Sequence, residues 1–228
     1  MFLPQPAARI KSSKSKPMKI KSFSFNPLST NCYVVYEDED AWIIDPSFCS
    51  QQEFSRLKQF LLSENLQVSK VLCTHLHFDH IFGAKMAAEH FSCDVYAHIN
   101  DEAWLSEVSR YAIMFGLEAE SLAPGEIKHL YQDDTLLLGE NTNALVLEVP
   151  GHSQGGLAFY FPDENIVFAG DSLFAGSIGR TDLPGGDYST LIDSIRHRLL
   201  CLPDLTTVYC GHGPSTSIAH EKTNNPFL

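Results

Sequence analysis

From Met18 onward, short apolar runs alternate with polar turns, and their spacing predicts a mixed α/β order. KIKSFSF, NCYVVYE and AWIID alternate or cluster β-forming residues, and NPLST and EDED supply turns between them. An antiparallel meander is expected there. SQQEFSRLKQFLLSENL places Phe54, Leu57, Phe60 and Leu61 at helical spacing, with Ser50 as its cap. VSKVLC reads as a buried strand, followed by a helix through GAKMAAEHF, the strand DVYAH and a helical stretch from Asn100. The second half repeats the theme: strands at NALVLEV, GLAFYF and NIVFAG, a helix at YSTLIDSIRHRLL, then the strand TTVYC. There is no sequence-level repeat. Strands followed by helix and strand, twice over, predict two packed β-sheets with helices outside, a four-layer αββα sandwich of the α/β class.

Composition narrows the partners. Hydrophobic residues make up 44% of the 228 and charged residues 19%, enough for a sizeable core. No apolar run reaches the length that spans a bilayer, so no membrane partner is expected. The net charge of −12 is uneven: Arg9, Lys11, Lys14, Lys16, Lys19 and Lys21 all precede the first acid, Glu37. The body that follows is strongly acidic and would repel phosphate backbones, which excludes nucleic acid. Residues 1–17 hold prolines, serines and basic residues but no acid, and are expected to form a disordered tail ahead of one domain at 18–228. Met18 is an alternative start. Six cysteines include no C-x-x-C pair, so buried reduced thiols are expected; with no apolar signal core at the N-terminus, a cytoplasmic location follows.

The chemistry gathers at THLHFDH, where His75, His77, Asp79 and His80 fall within one turn after VSKVLC. Alone, such a turn could be a polar loop. Three more positions share its placement: His152 in VPGHSQGG, Asp171 in AGDSLF and His212 in CGHGP each sit beside glycine after an apolar strand. Glycine allows a tight turn and close backbone approach. Together these residues supply five histidines and two aspartates, enough for two cations. Imidazole and carboxylate suit zinc, with iron or manganese as alternatives, better than Mg²⁺ or Ca²⁺.

These motifs resemble the metallo-β-lactamase superfamily over nearly the whole chain from Met18, and within it the small glyoxalase II-type hydrolases. The resemblance implies the αββα sandwich and two Zn²⁺ per chain. His75, His77 and His152 would bind one, Asp79, His80 and His212 the other, and Asp171 would bridge them. It also implies hydrolysis of a 2-hydroxyacyl thioester such as S-D-lactoylglutathione. Water held between two cations loses its proton near neutral pH and supplies the nucleophile, with Asp79 and Asp171 orienting it.

Departures narrow the expectation. The commonest β-lactamase subclasses carry cysteine where this chain has Asp171, so antibiotic hydrolysis is not expected. No counterpart of the helical domain that helps glyoxalase II hold glutathione is expected after His212. Arg180 in SIGRTD matches the family's basic residue; it could bind a substrate carboxylate or pair with Asp182 or Asp187. Asp182 stands where a glutathione-contacting tyrosine would be. A second resemblance, to iron-dependent persulfide dioxygenases that share T-H-x-H-x-D-H and a GRTD-like stretch, implies one iron on His75, His152 and Asp171. His90, His98, His129, His197 and His220 lack such neighbours and are expected on the surface. Cys73 and Cys210, each two positions before a ligand histidine, are expected to be packed, with redox sensitivity the alternative.

Overall fold

β1 (Lys19–Phe25), β2 (Thr30–Glu37) and β3 (Asp40–Ile44) form the expected meander, with Phe23 opposite Cys32 and Val35 opposite Trp42. The structure is a computed structural model that describes residues 17–114, 116 and 124–228. The expected tail, Pro17 apart, lies outside the described residues. α1 (Gln51–Ser63) starts where Ser50 Oγ accepts from the Glu53 amide at 3.2 Å. β4 (Gln67–Leu72) then runs parallel to β3 and delivers THLHFDH at its C-terminal end. α2 (Phe78–Ile81) and α3 (Ala84–Phe91) lead to β5 (Asp94–Ala97), a 3₁₀ helix at Ile99–Ser106, α4 (Val108–Met114) and β6 (Ile127–His129). The first sheet therefore keeps chain order, β1 to β6.

The second sheet is built from β7 (Thr135–Leu138), β8 (Thr142–Glu148), β9 (Leu157–Phe161) and β10 (Ile166–Gly170). A small hairpin of β11 (Leu173–Phe174) and β12 (Ser177–Ile178) precedes α5 (Tyr188–Ser194), which continues through a π turn at Ile195–Leu199. β13 (Thr207–Cys210) returns parallel to β10, and β14 (Thr216–Ser217) and α6 (Ile218–Asn224) follow. The strand order is β14-β13-β10-β9-β8-β7.

Three apolar clusters demonstrate the four layers. On β2 and β3, Cys32, Val34, Ala41 and Ile43 face Phe54, Leu57 and Ala87 of the outer helices. The alternate residues, Tyr33, Val35, Trp42 and Ile44, face Val146, Phe159, Phe161 and Phe168 of the second sheet. On that sheet's far side, Ala158, Val167 and Val208 pack under Leu191, Ile195 and Ile218. Strands buried on both faces need apolar residues at every position, which is why they read as continuous runs in the sequence.

The sequence reading missed β6, β7, β11, β12, β14, α2 and α6. Each has seven residues or fewer, too short for periodicity to stand out. The helical stretch from Asn100 divides into a 3₁₀ segment and α4, and His98 caps its start by accepting from the Asn100 amide at 3.1 Å. His98 corrects an expectation: it is buried, with Nε2 3.3 Å from Glu148, where a surface position was expected. The cysteines are all unpaired, but only Cys32, Cys73 and Cys210 are buried, and Cys201 is exposed. Cys73 and Cys210 sit in the helix-side cores, where burial pushes the Cys210 thiol up to about 12. Packing, not redox chemistry, accounts for that pair.

Candidate metal centre

The ends of β4, β8, β10 and β13 meet along one edge of the sandwich. β8 and β10 are both antiparallel to β9, and β13 is parallel to β10, so their C-terminal ends lie on the same side. Cross-sheet bonds fasten that edge: Asn31 N donates to Gly211 O at 2.8 Å, Leu157 N to Thr74 O at 2.7 Å, and Tyr33 Oη to Cys210 O at 2.6 Å. Glycine is required at two of these turns. Gly170 takes φ +50° against the Thr74 side chain, and any Cβ on Gly211 would strike the Asp171 carboxylate.

All seven residues expected from the sequence converge there. His77 Nδ1 lies 2.9 Å from His152 Nε2, and the His75 ring centroid is 4.6 Å from that of His77. Asp79 Oδ2 is 3.3 Å from His212 Nε2 and 3.7 Å from His80 Nε2. Asp171 stands between the two groups: Oδ2 is 3.6 Å from His152 Nε2 and 3.5 Å from His212 Nε2, while Oδ1 is 3.3 Å from His80 Nε2. Three sets have donor atoms within 4.8 Å of one another: His75 with His77 and His152, His75 with His80 and Asp171, and Asp79 with His80 and His212. The first and third sets are the division that the family resemblance implies.

The electrostatics favour an added cation. Burial, then the neighbouring histidines, holds His75 well below the usual imidazole range, and burial and His152 hold His77 at about 3. Both therefore keep a lone pair free. Burial pushes the Asp79 and Asp171 carboxyls up, but nearby histidines outweigh it and hold both below the ordinary range. His80 Nε2 and Asp171 Oδ1 are buried with no hydrogen bond made, and so is His75 Nε2. Orphaned donor atoms of this kind fit a bound metal.

A surrounding layer, mostly invisible in the sequence, orients these groups. Asp45 Oδ2 accepts from His80 Nδ1 at 3.0 Å and from Thr74 Oγ1 at 2.8 Å, and Thr74 Oγ1 contacts His75 Nδ1 at 3.1 Å. Thr30 Oγ1 donates to Asp79 Oδ2 at 2.8 Å. His152 Nδ1 donates to the Arg180 carbonyl at 2.8 Å, which leaves Nε2 as the lone-pair nitrogen facing the cluster. Asp101 ties the two histidine loops together. It accepts from Leu76 N at 3.2 Å, between His75 and His77, and from Ser153 Oγ at 2.8 Å and Gly155 N at 2.6 Å, beside His152. Asp45 had a signal in the sequence, an acid ending the apolar run AWII. Asp101 and Thr30 had none.

A cleft of about 630 Å³ opens over the cluster, and Arg180 lines it. Arg180 Nε and Nη2 each bond the Asp182 carboxylate at 2.7 Å, so of the two expected pairings the one with Asp182 forms. Among the described residues, no helix is long and apolar enough to cross a membrane.

The model of the metallo-beta-lactamase superfamily matches residues 25–212. The chain belongs to that superfamily. Its relatives include the "Probable metallo-hydrolase YqgX" of Bacillus subtilis and the "Hydroxyacylglutathione hydrolase GloC" of Haemophilus influenzae. Each is 36% identical, with 92% of this chain and 98% of the relative covered. Among solved structures, the BLEG-1 B3 metallo-beta-lactamase superposes with a TM-score of 0.80 at 36% identity, covering 92% of this chain and 99% of that one. TTHA1623 in a di-iron-bound form gives 0.81 at 36%, covering 91% and 100%. ETHE1 from Myxococcus xanthus gives 0.72 at 28%, covering 91% and 83%. Superfamily membership, the His/Asp cluster and the relatives' names together make the chain a metallo-hydrolase of this superfamily.

Proposed function

We propose that the chain is a dinuclear thioester hydrolase of the glyoxalase II type, with zinc as its usual metal. The observation that carries this reading is Asp171. One partly buried carboxylate faces His152 on one side and His80 and His212 on the other, the placement needed to bridge two cations. His75, His77 and His152 would hold the first cation, and Asp79, His80 and His212 the second. Bound there, divalent cations supply Lewis acidity, polarising a carbonyl and acidifying water near neutral pH. The chain's own residues do the positioning. Thr30 Oγ1 positions Asp79 Oδ2, and with His80 and His212 beside it the carboxylate stays ionised, so Asp79 can orient the attacking water as an acceptor. The Arg180 carbonyl holds His152 in one tautomer, and the cleft walls bring the scissile bond over the cluster.

The relative named hydroxyacylglutathione hydrolase makes S-D-lactoylglutathione the first thioester to assay. Likeness to a B3 metallo-beta-lactamase makes a β-lactam the necessary control. The competing reading, a mono-iron persulfide dioxygenase, needs only His75, His152 and Asp171. It leaves the close set of Asp79, His80 and His212 without a role. Likeness to a structure in a di-iron-bound form is the reason to test iron-loaded protein as well. Thioester cleavage and persulfide-dependent oxygen uptake, run side by side on zinc-loaded and iron-loaded protein, separate the two. Thioester cleavage with about two metals per chain, falling toward one in His212→Ala, is expected. Oxygen uptake by the iron form, with no thioester cleaved by either form, would overturn the hydrolase.

A further inference from the structure

We propose that the cleft selects uncharged thioesters bearing an aromatic or branched apolar group, over 2-hydroxyacyl thioesters of a thiol with two carboxylates such as glutathione. This substrate class rests on the hydrolase reading above. One wall of the cleft is aromatic from floor to mouth. Trp104 lies perpendicular to the His77 ring at 4.5 Å, and Tyr111 follows it at 6.4 Å. Tyr111 in turn stacks on Phe78 at 4.8 Å with only 9° between the planes. Across the cleft, Phe174 and Ile178 of the β11–β12 hairpin stand with Leu28, and the Phe174 ring is 6.2 Å from His212. Both halves of the histidine cluster therefore open onto apolar surface. A volume of about 630 Å³ accommodates a phenyl or branched acyl group together with a short thiol arm.

Provision for anions is sparse. Among the described residues lining the cleft, the one cation is Arg180, and it is already matched in a bidentate pair with Asp182. A lactoyl group presents a hydroxyl to a wall that offers rings, and glutathione brings two carboxylates to one occupied guanidinium. Burying a phenyl group against the wall removes apolar surface from water on both partners.

The test uses four thioesters, lactoyl or phenylacetyl carried on glutathione or on N-acetylcysteamine, with the full zinc-loaded chain. A preference of about tenfold or more in kcat/KM for phenylacetyl over lactoyl is expected on either thiol, the usual scale of discrimination by an apolar pocket. Glutathione should offer no advantage over N-acetylcysteamine. Tyr111→Ala and Trp104→Ala should each shrink the preference by raising KM for the phenylacetyl substrates. A non-hydrolysable aryl thioether of N-acetylcysteamine should quench Trp104 fluorescence at lower concentration than S-methylglutathione. Cleavage with lactoylglutathione preferred overturns the substrate class and leaves the hydrolase standing. No cleavage of any of the four overturns the hydrolase reading and the class with it.

Discussion

At the floor of the cleft, His80 is fully buried, with Nδ1 bonded to Asp45 and Nε2 facing Asp79 and Asp171. At the rim, the Arg180 and Asp182 side chains are 61% and 68% exposed and bond only each other. The floor uses residues from four strand ends, several of them braced by a residue from another segment. The rim uses side chains that water also solvates. Groups braced on rigid strand ends keep their geometry through a catalytic cycle, whereas exposed groups on loops can change without disturbing it. On the proposed function, the chemistry rests on the scaffold and substrate preference on a separate surface.

The sharpest attack on this division is at the floor. Asp171→Ala removes the carboxylate shared by both donor groups. Turnover should fall by at least about two orders of magnitude, with loss of bound metal by elemental analysis. Retention of both metals and of activity would show that Asp171 does not bridge.

Asp101 tests whether bracing matters as much as ligation. Asp101→Ala leaves the Leu76 and Gly155 amides and the Ser153 hydroxyl without their acceptor. A loss of about 10- to 100-fold in metal affinity or activity is expected. It should fall on the His75, His77 and His152 group more than on the other. A metal titration resolving two binding steps distinguishes this from general destabilisation, which would weaken both steps alike.

The rim should respond far less. Arg180→Ala breaks an exposed ion pair, so stability should change by less than about 1 kcal/mol. A change in KM with little change in kcat is expected, read from steady-state kinetics with each thioester. Equal losses in kcat and kcat/KM would move Arg180 from the rim to the chemistry. Smallest of all, a chain beginning at Met18 should match the full chain in thermal midpoint and turnover. A drop of many degrees would show that the tail packs against the fold.

Much of the floor was legible because its signals are local. Strand, glycine and ligand are neighbours in the chain at Gly151–His152, Gly170–Asp171 and Gly211–His212, and THLHFDH is continuous. The bracing layer was not legible, because most of its bonds span a long stretch of chain. Thr30 and Asp79 are 49 residues apart, Thr74 and Asp45 are 29 apart, and Asp101 and Ser153 are 52 apart. No periodicity links such pairs.

By itself, then, the sequence determined the layer order and the kinds of donor atom at the site. Continuous apolar runs specify strands buried on both faces, and polar residues beside glycine at their ends have little room except at the sheet edge. Only the tertiary structure brought the seven donors together around Asp171, since that depends on where β8, β10 and β13 align their ends against β4. It alone also paired Arg180 with Asp182 and assembled Phe78, Trp104 and Tyr111, from three separate helical segments, into one wall. Contacts through space between distant segments follow from packing, and packing exists only once the sheets have closed on each other.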